Sequence, residues 1–571
     1  MFFVIAGVAV LAFVVSYFLS LYINYIAALS TGLPAVITLV DPTTPLFGLL
    51  HDWVLPCLRR LPGDLGRNSD LLKFGWQFKD KYATHERLGK LFVQVTPTCN
   101  VLHVGDPEIC EEVMRRWEDF PKPRQIYQEH IEQFGPNVDS VNGDAWKRNR
   151  RITAPAFNER VSSLVWEEAS RQASQMLHAP HANRPSEATN SLAQACKTIA
   201  LHVLTYAGFG VRGDFGSGVT TIEEGYSLTY QDALSFILSH MVMATVLPAW
   251  LTRLPFVPKT WRRLGLSMRD FGQHMEDMLK RERIAIHTDK IETNRRTETL
   301  TSALIRASEE DKADGTDAIA KSAKGLSDEE IYGNLFIFNF AGHDTTAITM
   351  SYAIALMAIH PSVQAWVADE VHAVFAQTDK TMYHQVFPRL VRVRALMYET
   401  LRLYPPLAFL SKITGARSVP LTLGSEDSVM VPPNTYVNLN FVHLHVSPEF
   451  WGTDSLTFRP QRFIVKSEAG EETLFKPERS IFIPWATGPR NCPGMKFSQV
   501  EFISAISELL FTSRVAASLP PEMEGAEVSG LDDGAKARER LQAVLDSSDV
   551  QVLTTILNPE NVWLSWAKAD P

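Results

Sequence analysis

The sequence predicts a mainly α protein with a smaller β-rich portion, an α+β arrangement, behind an N-terminal transmembrane helix. Three observations carry this. No charged residue precedes Asp41. From about Asp106 to Pro406 most segments read as helices separated by proline-rich or charged loops. From Leu421 onward strands and irregular loops become more frequent, as in "SVMVPPNTYVNLNFVHLH". Helices early, strands late and no internal repeat together describe one large mixed domain.

Composition narrows the function classes. The 571 residues are 45% hydrophobic and 21% charged, with a formal net charge of −9, so no global basicity points to a nucleic-acid partner. The five cysteines (Cys57, Cys99, Cys110, Cys196, Cys492) are scattered and odd in number. That excludes a disulfide framework and a closely spaced zinc or dithiol motif. There is also no N-x-[ST] sequon, and both features suit a body in the reducing cytosol.

Taken in order, Phe2 to Ile23 ("FFVIAGVAVLAFVVSYFLSLYI") comes first. Its 22 uncharged residues would span about 33 Å as a helix, roughly one bilayer core. A cleaved signal peptide is the competing reading, but the stretch lacks a cationic n-region and is too long. Basic residues begin at Arg59 and Arg60, which places the C-terminal side in the cytoplasm. Residues 1–33 are therefore assigned to a single-pass anchor and 34–60, with Pro34, Pro42 and Pro45, to a stiff connector. Residues 61–571 form the body. Within it, Leu91–Asp106 predicts a small hairpin, while Glu309–Gly325 and Ser518–Leu541 read as polar excursions.

One helix stands out. Ser327 and Glu330 form a capping box, and the apolar run that follows must end before Pro361. It is apolar around most of its circumference and should cross the interior. Its centre is "AGHDTT" (Ala341–Thr346). A mid-helix glycine costs about 1 kcal/mol relative to alanine, and Asp-Thr-Thr competes for backbone hydrogen bonds. Such a break of local rules marks either a functional distortion or a kink held by threonine hydroxyls bonding back to carbonyls.

Four further patterns accompany it. "ETLR" (Glu399–Arg402) sets a carboxylate and a guanidinium on one helical face, and "FRPQRF" supplies Arg462. "WKRNR" puts Trp146 and Arg150 one turn apart, both able to donate to one anion. "PWATGPRNCPG" (Pro484–Gly494) fences Cys492 with residues that fix or free the backbone.

With these five motifs in this order behind an anchor, the chain resembles the cytochrome P-450 family, in its membrane-anchored eukaryotic microsomal branch and most like filamentous-fungal members. The resemblance implies a cytochrome P-450 fold with residues 61–571 as a heme-thiolate catalytic domain holding heme b. Cys492 would be the axial thiolate ligand of the iron, with Gly488 and Gly494 letting the backbone approach sulfur and porphyrin. Trp146, Arg150, Arg490 and Lys412 would meet the heme propionates, and His445 reads better as structural. Glu399, Arg402 and Arg462 would form a buried structural triad. Asp344 and Thr345 would relay protons to bound oxygen, with Gly342 leaving it room. The family's cysteine loop usually starts with phenylalanine; here Trp485 stands there and would tune the iron.

The implied activity is insertion of one oxygen atom from O2 into a lipophilic small molecule, by hydroxylation or epoxidation, in secondary metabolism at the endoplasmic reticulum membrane. Substrate contacts would come from Pro121–Val141, Phe236–Pro258 and Leu407–Leu410, the second of these also able to touch the bilayer. With no appended flavin or ferredoxin motif, electrons would come from an NADPH-dependent flavoprotein reductase, with cytochrome b5 as an accessory donor. Lys147, Arg148 and Arg151 would add positive charge for that docking. A heme-thiolate isomerase or dehydratase without a reductase, and a non-catalytic heme ligand-binding or sensing protein, are the alternatives. The Asp344–Thr345 pair argues against both.

Overall fold

The computed structural model describes residues 2–42, 45–124, 131–178, 188–216, 222, 224–248, 250–254, 256–288, 299–313, 325–423, 427–478, 480–523 and 533–569. Residues 125–130, 249 and 255 of the expected substrate segments, and 314–324 and 524–532 of the two polar excursions, lie outside them.

The predicted class holds: the described residues are mostly helical, with small sheets. The uncharged N-terminus forms one helix, Phe2–Leu29, longer than the 22-residue apolar run. The proline-bearing connector is more structured than its composition suggested. It holds strand β1 (Ala35–Ile37) and a helix, Pro45–Leu58, with Pro56 in its last turn.

The expected hairpin is β2 (Leu91–Val95) against β3 (Asn100–Val104), antiparallel from Leu91↔Val104 to Val95↔Asn100. Later strands are β4 (Phe409–Ile413), β5 (Val419–Leu423), β6 (Asp427–Val431) and β7 (Tyr436–Asn440). The main sheet runs β1-β2-β3-β7-β4, so strands more than 300 residues apart in sequence pair, Val101 opposite Tyr436. A sequence reads the hairpin locally; this long-range pairing it does not.

Ser327 caps the long helix Asp328–Ile359 as expected: its hydroxyl accepts from Glu330 N, and the Glu330 carboxylate accepts from Ser327 N. The helix turns by 113° into the next, Pro361–Gln377. Near its start a Cβ on Gly333 would lie 2.3 Å from the Gly135 carbonyl oxygen, so only glycine lets the 131–141 loop cross there. The second excursion ends in a helix, Asp533–Asp546, whose Ala537, Leu541 and Leu545 are buried. That i, i+4, i+8 spacing was present in the sequence, hidden by charged neighbours.

Three histidines gather beside the sheet. His85 and His443 have ring centroids 4.6 Å apart, and His103 stacks 4.8 Å from Phe92, which also touches His85. Burial lowers His85 to about 4, and His103 and His443 to about 3 each. His445 is lowered to about 3 by burial and then by Arg402. Well above pH 6.5 all four are neutral in both the folded and the unfolded chain, and they add nothing to the pH dependence. As pH falls from 6.5 toward 4–3, the unfolded chain takes up protons that the folded one refuses. Stability then drops by up to about 1.4 kcal/mol per pH unit for each histidine. Urea unfolding in detergent at pH 7 and pH 5 should therefore show a clear loss at pH 5. His443→Phe should reduce that loss, and a flat profile would contradict the account.

Candidate active site

The cysteine loop lies between Ile483 and the helix Met495–Thr512. Cys492 N–H donates to the Trp485 carbonyl at 2.9 Å, closing the loop on itself. Gly488 has φ 72°, and a Cβ there would sit 2.9 Å from the Met114 carbonyl oxygen, so glycine is required. Ala486 takes φ 57°, a strained choice for a residue with a side chain. Cys492 is exposed by surface area, yet enough protein surrounds it that burial pushes its thiol up. Both hold for a group at the bottom of a recess. The Gly494 N–H and the Arg150 guanidinium act the other way and favour the thiolate.

Trp485 does not aim its N–H at the sulfur. The indole donates to Ser498 Oγ at 3.1 Å, with its ring against Tyr398.

The long helix comes near the cysteine loop through Phe157. Most of its residues are buried, but Ala341 is exposed, and Gly342, Asp344 and Thr345 are half-buried. Ala341 and Thr345 lie i, i+4 on one face. Phe157 links this helix to the cysteine loop: its ring meets Phe338 at 5.1 Å and Phe497 at 6.5 Å, and a Cβ on Gly494 would lie 4.0 Å from it and 3.8 Å from Cys492 Sγ.

The expected distortion at "AGHDTT" is absent: the helix is unbroken from Asp328 to Ile359. Thr345 Oγ1 donates to the Ala341 carbonyl at 2.8 Å and Thr349 Oγ1 to Thr345 O at 2.8 Å, so the hydroxyls add to the helix instead of breaking it. Asp344 Oδ1 pairs with Lys197 Nζ at 3.0 Å and lies 3.4 Å from His343 Nδ1. A Cβ on Gly342 would make ordinary contact with Leu204 at 3.6 Å, so no protein neighbour demands that glycine.

Cations gather near the loop. Arg490 lies over the Trp146 ring at 4.6 Å and donates to Val141 O at 2.9 Å; Arg150 donates to Asn491 Oδ1 at 2.5 Å. Lys412 on β4 is buried, and its ammonium is lowered to about 7 by burial, then by Lys122 and Arg490, with Asp139 opposing. Lys122 itself is bonded to Asp139. Three cations and one carboxylate in a buried place suit a multivalent anion.

The "ETLR" and "FRPQRF" residues meet as expected. Glu399 accepts from Arg402 at 2.8 and 2.9 Å, from Arg462 at 2.9 Å and from Arg459 N at 2.8 Å. Arg402, fully buried, also donates to the carbonyls of His445 at 3.0 Å and Ser455 at 2.5 Å. His445 Nε2 accepts from Ile483 N at 3.0 Å, which ties the triad to the start of the cysteine loop. The structural reading of this histidine was the better one.

The basic docking face is largely neutralised. Lys147 pairs with Glu118 at 2.7 Å, Arg148 with Glu330, and Arg151 with Asp311. Their partners lie far off in sequence or one turn back, which a motif cannot reveal. Sequence reasoning also missed Lys122, Trp117 and Glu501. Trp117 packs against Trp146, with ring centroids 4.3 Å apart and the planes tilted by 51°. Lys122, set between two prolines in "FPKPR", was a readable signal. Glu501 is fully buried, its carboxyl pushed well up by burial, with the Thr346 hydroxyl opposing.

Among the expected substrate segments, Ile131 and Val138 are buried in one apolar cluster that Phe236, Met241, Met243 and Leu247 pack against. Leu407, Trp250 and Phe256 are exposed.

Comparison with known proteins decides the family: the cytochrome P450 family model matches residues 71–522. The chain belongs to the cytochrome P450 family. This P450 is similar to a cytochrome P450 monooxygenase of Arthrobotrys oligospora, 28% identical over 88% of this chain and 89% of that protein. It is also similar to the phomenoic acid biosynthesis cluster cytochrome P450 monooxygenase of Leptosphaeria maculans, 29% identical over 90% of this chain and 91% of its relative. A cytochrome P450 of Rattus norvegicus is 26% identical over 76% of this chain and 80% of that protein. The chain is thus an oxidoreductase of the monooxygenase kind. Members of this family carry heme iron on a cysteine thiolate and generally use reductase partners and hydrophobic substrates.

Proposed function

We propose that this P450 is a membrane-anchored monooxygenase that inserts one oxygen atom from O2 into a lipophilic secondary metabolite, with electrons from a separate NADPH-dependent flavoprotein reductase. The observation that carries the reading is Cys492 at the floor of a recess, joined through Phe157 to a buried helix that is exposed at Ala341 and half-buried at Gly342, Asp344 and Thr345. The residues present fit a heme. Cys492 supplies the thiolate, Gly488 and Gly494 the close backbone, and Lys412, Arg490, Arg150 and Trp146 the cations and N–H donors for two propionates.

When bound, heme iron held by the Cys492 thiolate would supply dioxygen binding and reductive O–O cleavage. The chain's own groups supply the rest. The Gly494 N–H and Arg150 hold negative charge on Cys492 Sγ. Trp485, turned toward Ser498, shields the loop without donating to the sulfur. Exposed Lys197 lies at the outer end of a proton route through Asp344 Oδ1 to the Thr345 hydroxyl. Thr345 already donates to Ala341 O, so its oxygen accepts from the recess side. Thr345→Ala should keep heme binding and divert electrons to hydrogen peroxide. Unchanged coupling of NADPH consumption to product would remove Thr345 from the route.

The fungal relatives, one of them named for a biosynthesis cluster, support a secondary metabolite as substrate. The deciding experiment uses membranes carrying this protein and a microsomal reductase, supplied with NADPH and a lipophilic metabolite extract under heavy-isotope dioxygen. A product carrying one heavy oxygen atom, absent with a Cys492 variant, is the expected result. An unlabelled product formed without reductase would point to isomerisation instead.

A further inference from the structure

Asn334 is a fully buried amide near the start of the long helix, and both ends of it are bonded. Its Oδ1 accepts from Val138 N at 2.9 Å, and its Nδ2 donates to Asn149 Oδ1 and to Glu330 O, each at 2.7 Å. Asn149, also fully buried, donates to Glu330 Oε1 at 3.1 Å, and the same carboxylate pairs with Arg148. One chain of hydrogen bonds thus runs from the half-buried Arg148 guanidinium, on the helix Gly143–Thr153, to the backbone of Val138. In a buried network of this kind each member depends on the next, because an amide left unpaired is costly.

The chain ends on a loop that is stiff in its own right. Asn137 is caged inside it: Nδ2 donates to Ile131 O at 2.9 Å, and Oδ1 accepts from Asp139 N and Ser140 N, each at 3.1 Å. Close passage fixes it further, since a Cβ on Gly135 would lie 2.2 Å from Glu329 O. At the far end, Val141 O accepts from Arg490 of the cysteine loop at 2.9 Å. Residues 131–141 are therefore strung between the long helix and the loop that carries Cys492.

Helix geometry says what this segment borders. Asn334, Phe338, Ala341 and Thr345 are spaced by four, three and four residues, so they share one face. At Asn334 that face is covered by the loop; about 10 Å further along, at Ala341, it is exposed. The loop stands where the recess begins.

We infer that Asn334 is a positioning residue for substrate: it fixes residues 131–141 as a preset wall of the recess, and the Arg148–Glu330 pair on the outer side sets how firmly that wall stands. This rests on the heme-bearing recess proposed above. A wall ordered before the substrate arrives spares binding the cost of ordering it, and favours molecules that match its shape.

The test is hydrogen exchange of the full-length, heme-loaded protein in detergent, read by mass spectrometry over 131–141, beside spectral titration with two probes. Plain imidazole is small enough to reach the iron without the wall; clotrimazole, a bulky apolar azole, is large enough to pack against it. Asn334→Ala should speed exchange in the loop about tenfold, because the Val138 N–H loses its acceptor. It should weaken clotrimazole severalfold and leave imidazole unchanged. Arg148→Ala, whose ion-pair partner Glu330 lies outside the loop, should produce both effects to a smaller extent. Lys147→Ala, whose exposed partner is Glu118, should produce neither. Should Asn334→Ala fail to take up heme, Arg148→Ala against Lys147→Ala carries the test. Exchange over 131–141 that Arg148→Ala leaves unchanged, or equal weakening of both azoles, would overturn the inference. A wild-type protein whose Soret band does not shift with imidazole would instead overturn the heme site itself.

Discussion

Replacing Cys492 by alanine should abolish the red-shifted Soret band of the reduced CO complex and leave no measurable turnover, while Cys110→Ala and Cys196→Ala keep both. The contrast rests on what surrounds each sulfur. Cys110 and Cys196 are fully buried in apolar clusters, and burial pushes Cys110 well up and Cys196 to about 12. Both stay protonated thiols at neutral pH and cannot serve as thiolate ligands. Their loss should cost packing alone. Cys492 combines an exposed sulfur with an N–H donor at Gly494 and a guanidinium at Arg150. A surviving band in the Cys492 variant would remove the ligand assignment, and with it the recess as the active site.

Local chemistry was legible in the sequence. The capping box, the hairpin and the end of the long helix before Pro361 were all read from residues within a few positions of one another. Five motifs in order were enough to name the family. What escaped lies across the chain. Lys147, Arg148 and Arg151 read as unpaired positive charge because their partners Glu118, Glu330 and Asp311 come from other segments. The Ile413 N–H, donating to the Pro121 carbonyl at 3.0 Å, brings Lys412 beside Lys122, almost 300 residues away. "AGHDTT" misled for another reason: propensity is a weak prior, and the Thr345 hydroxyl found the Ala341 carbonyl one turn back while the Thr346 hydroxyl found the Glu501 carboxyl. The exposure pattern, not a kink, marks the site there. Trp485 shows the same limit, since its departure from the family's phenylalanine was visible but its partner, Ser498, was not.

Glu399→Ala should destabilise the protein by about 3–5 kcal/mol, because it leaves buried guanidinium charge uncompensated. Arg402 is fully buried, and its remaining partners, the carbonyls of His445, Ser455 and Thr457, carry no full charge. Arg462 and the Arg459 N–H would lose the same acceptor. The damage should travel. Arg402 holds the His445 backbone, His445 Nε2 accepts from Ile483 N, and Ile483 leads into the loop of Cys492. Heme-loaded protein should therefore fall along with stability, even though no triad residue lies in that loop. Glu399→Gln keeps the shape and an acceptor oxygen while losing the charge, and should fall between wild type and alanine. Lys280→Ala, which breaks the exposed Lys280–Glu276 pair at 2.7 Å, should leave stability essentially unchanged, because solvent screens the pair. Urea unfolding in detergent, read beside the reduced-CO spectrum, checks all three. A Glu399→Ala protein as stable as the Lys280→Ala one would mean that the carbonyl cage alone suffices to hold Arg402.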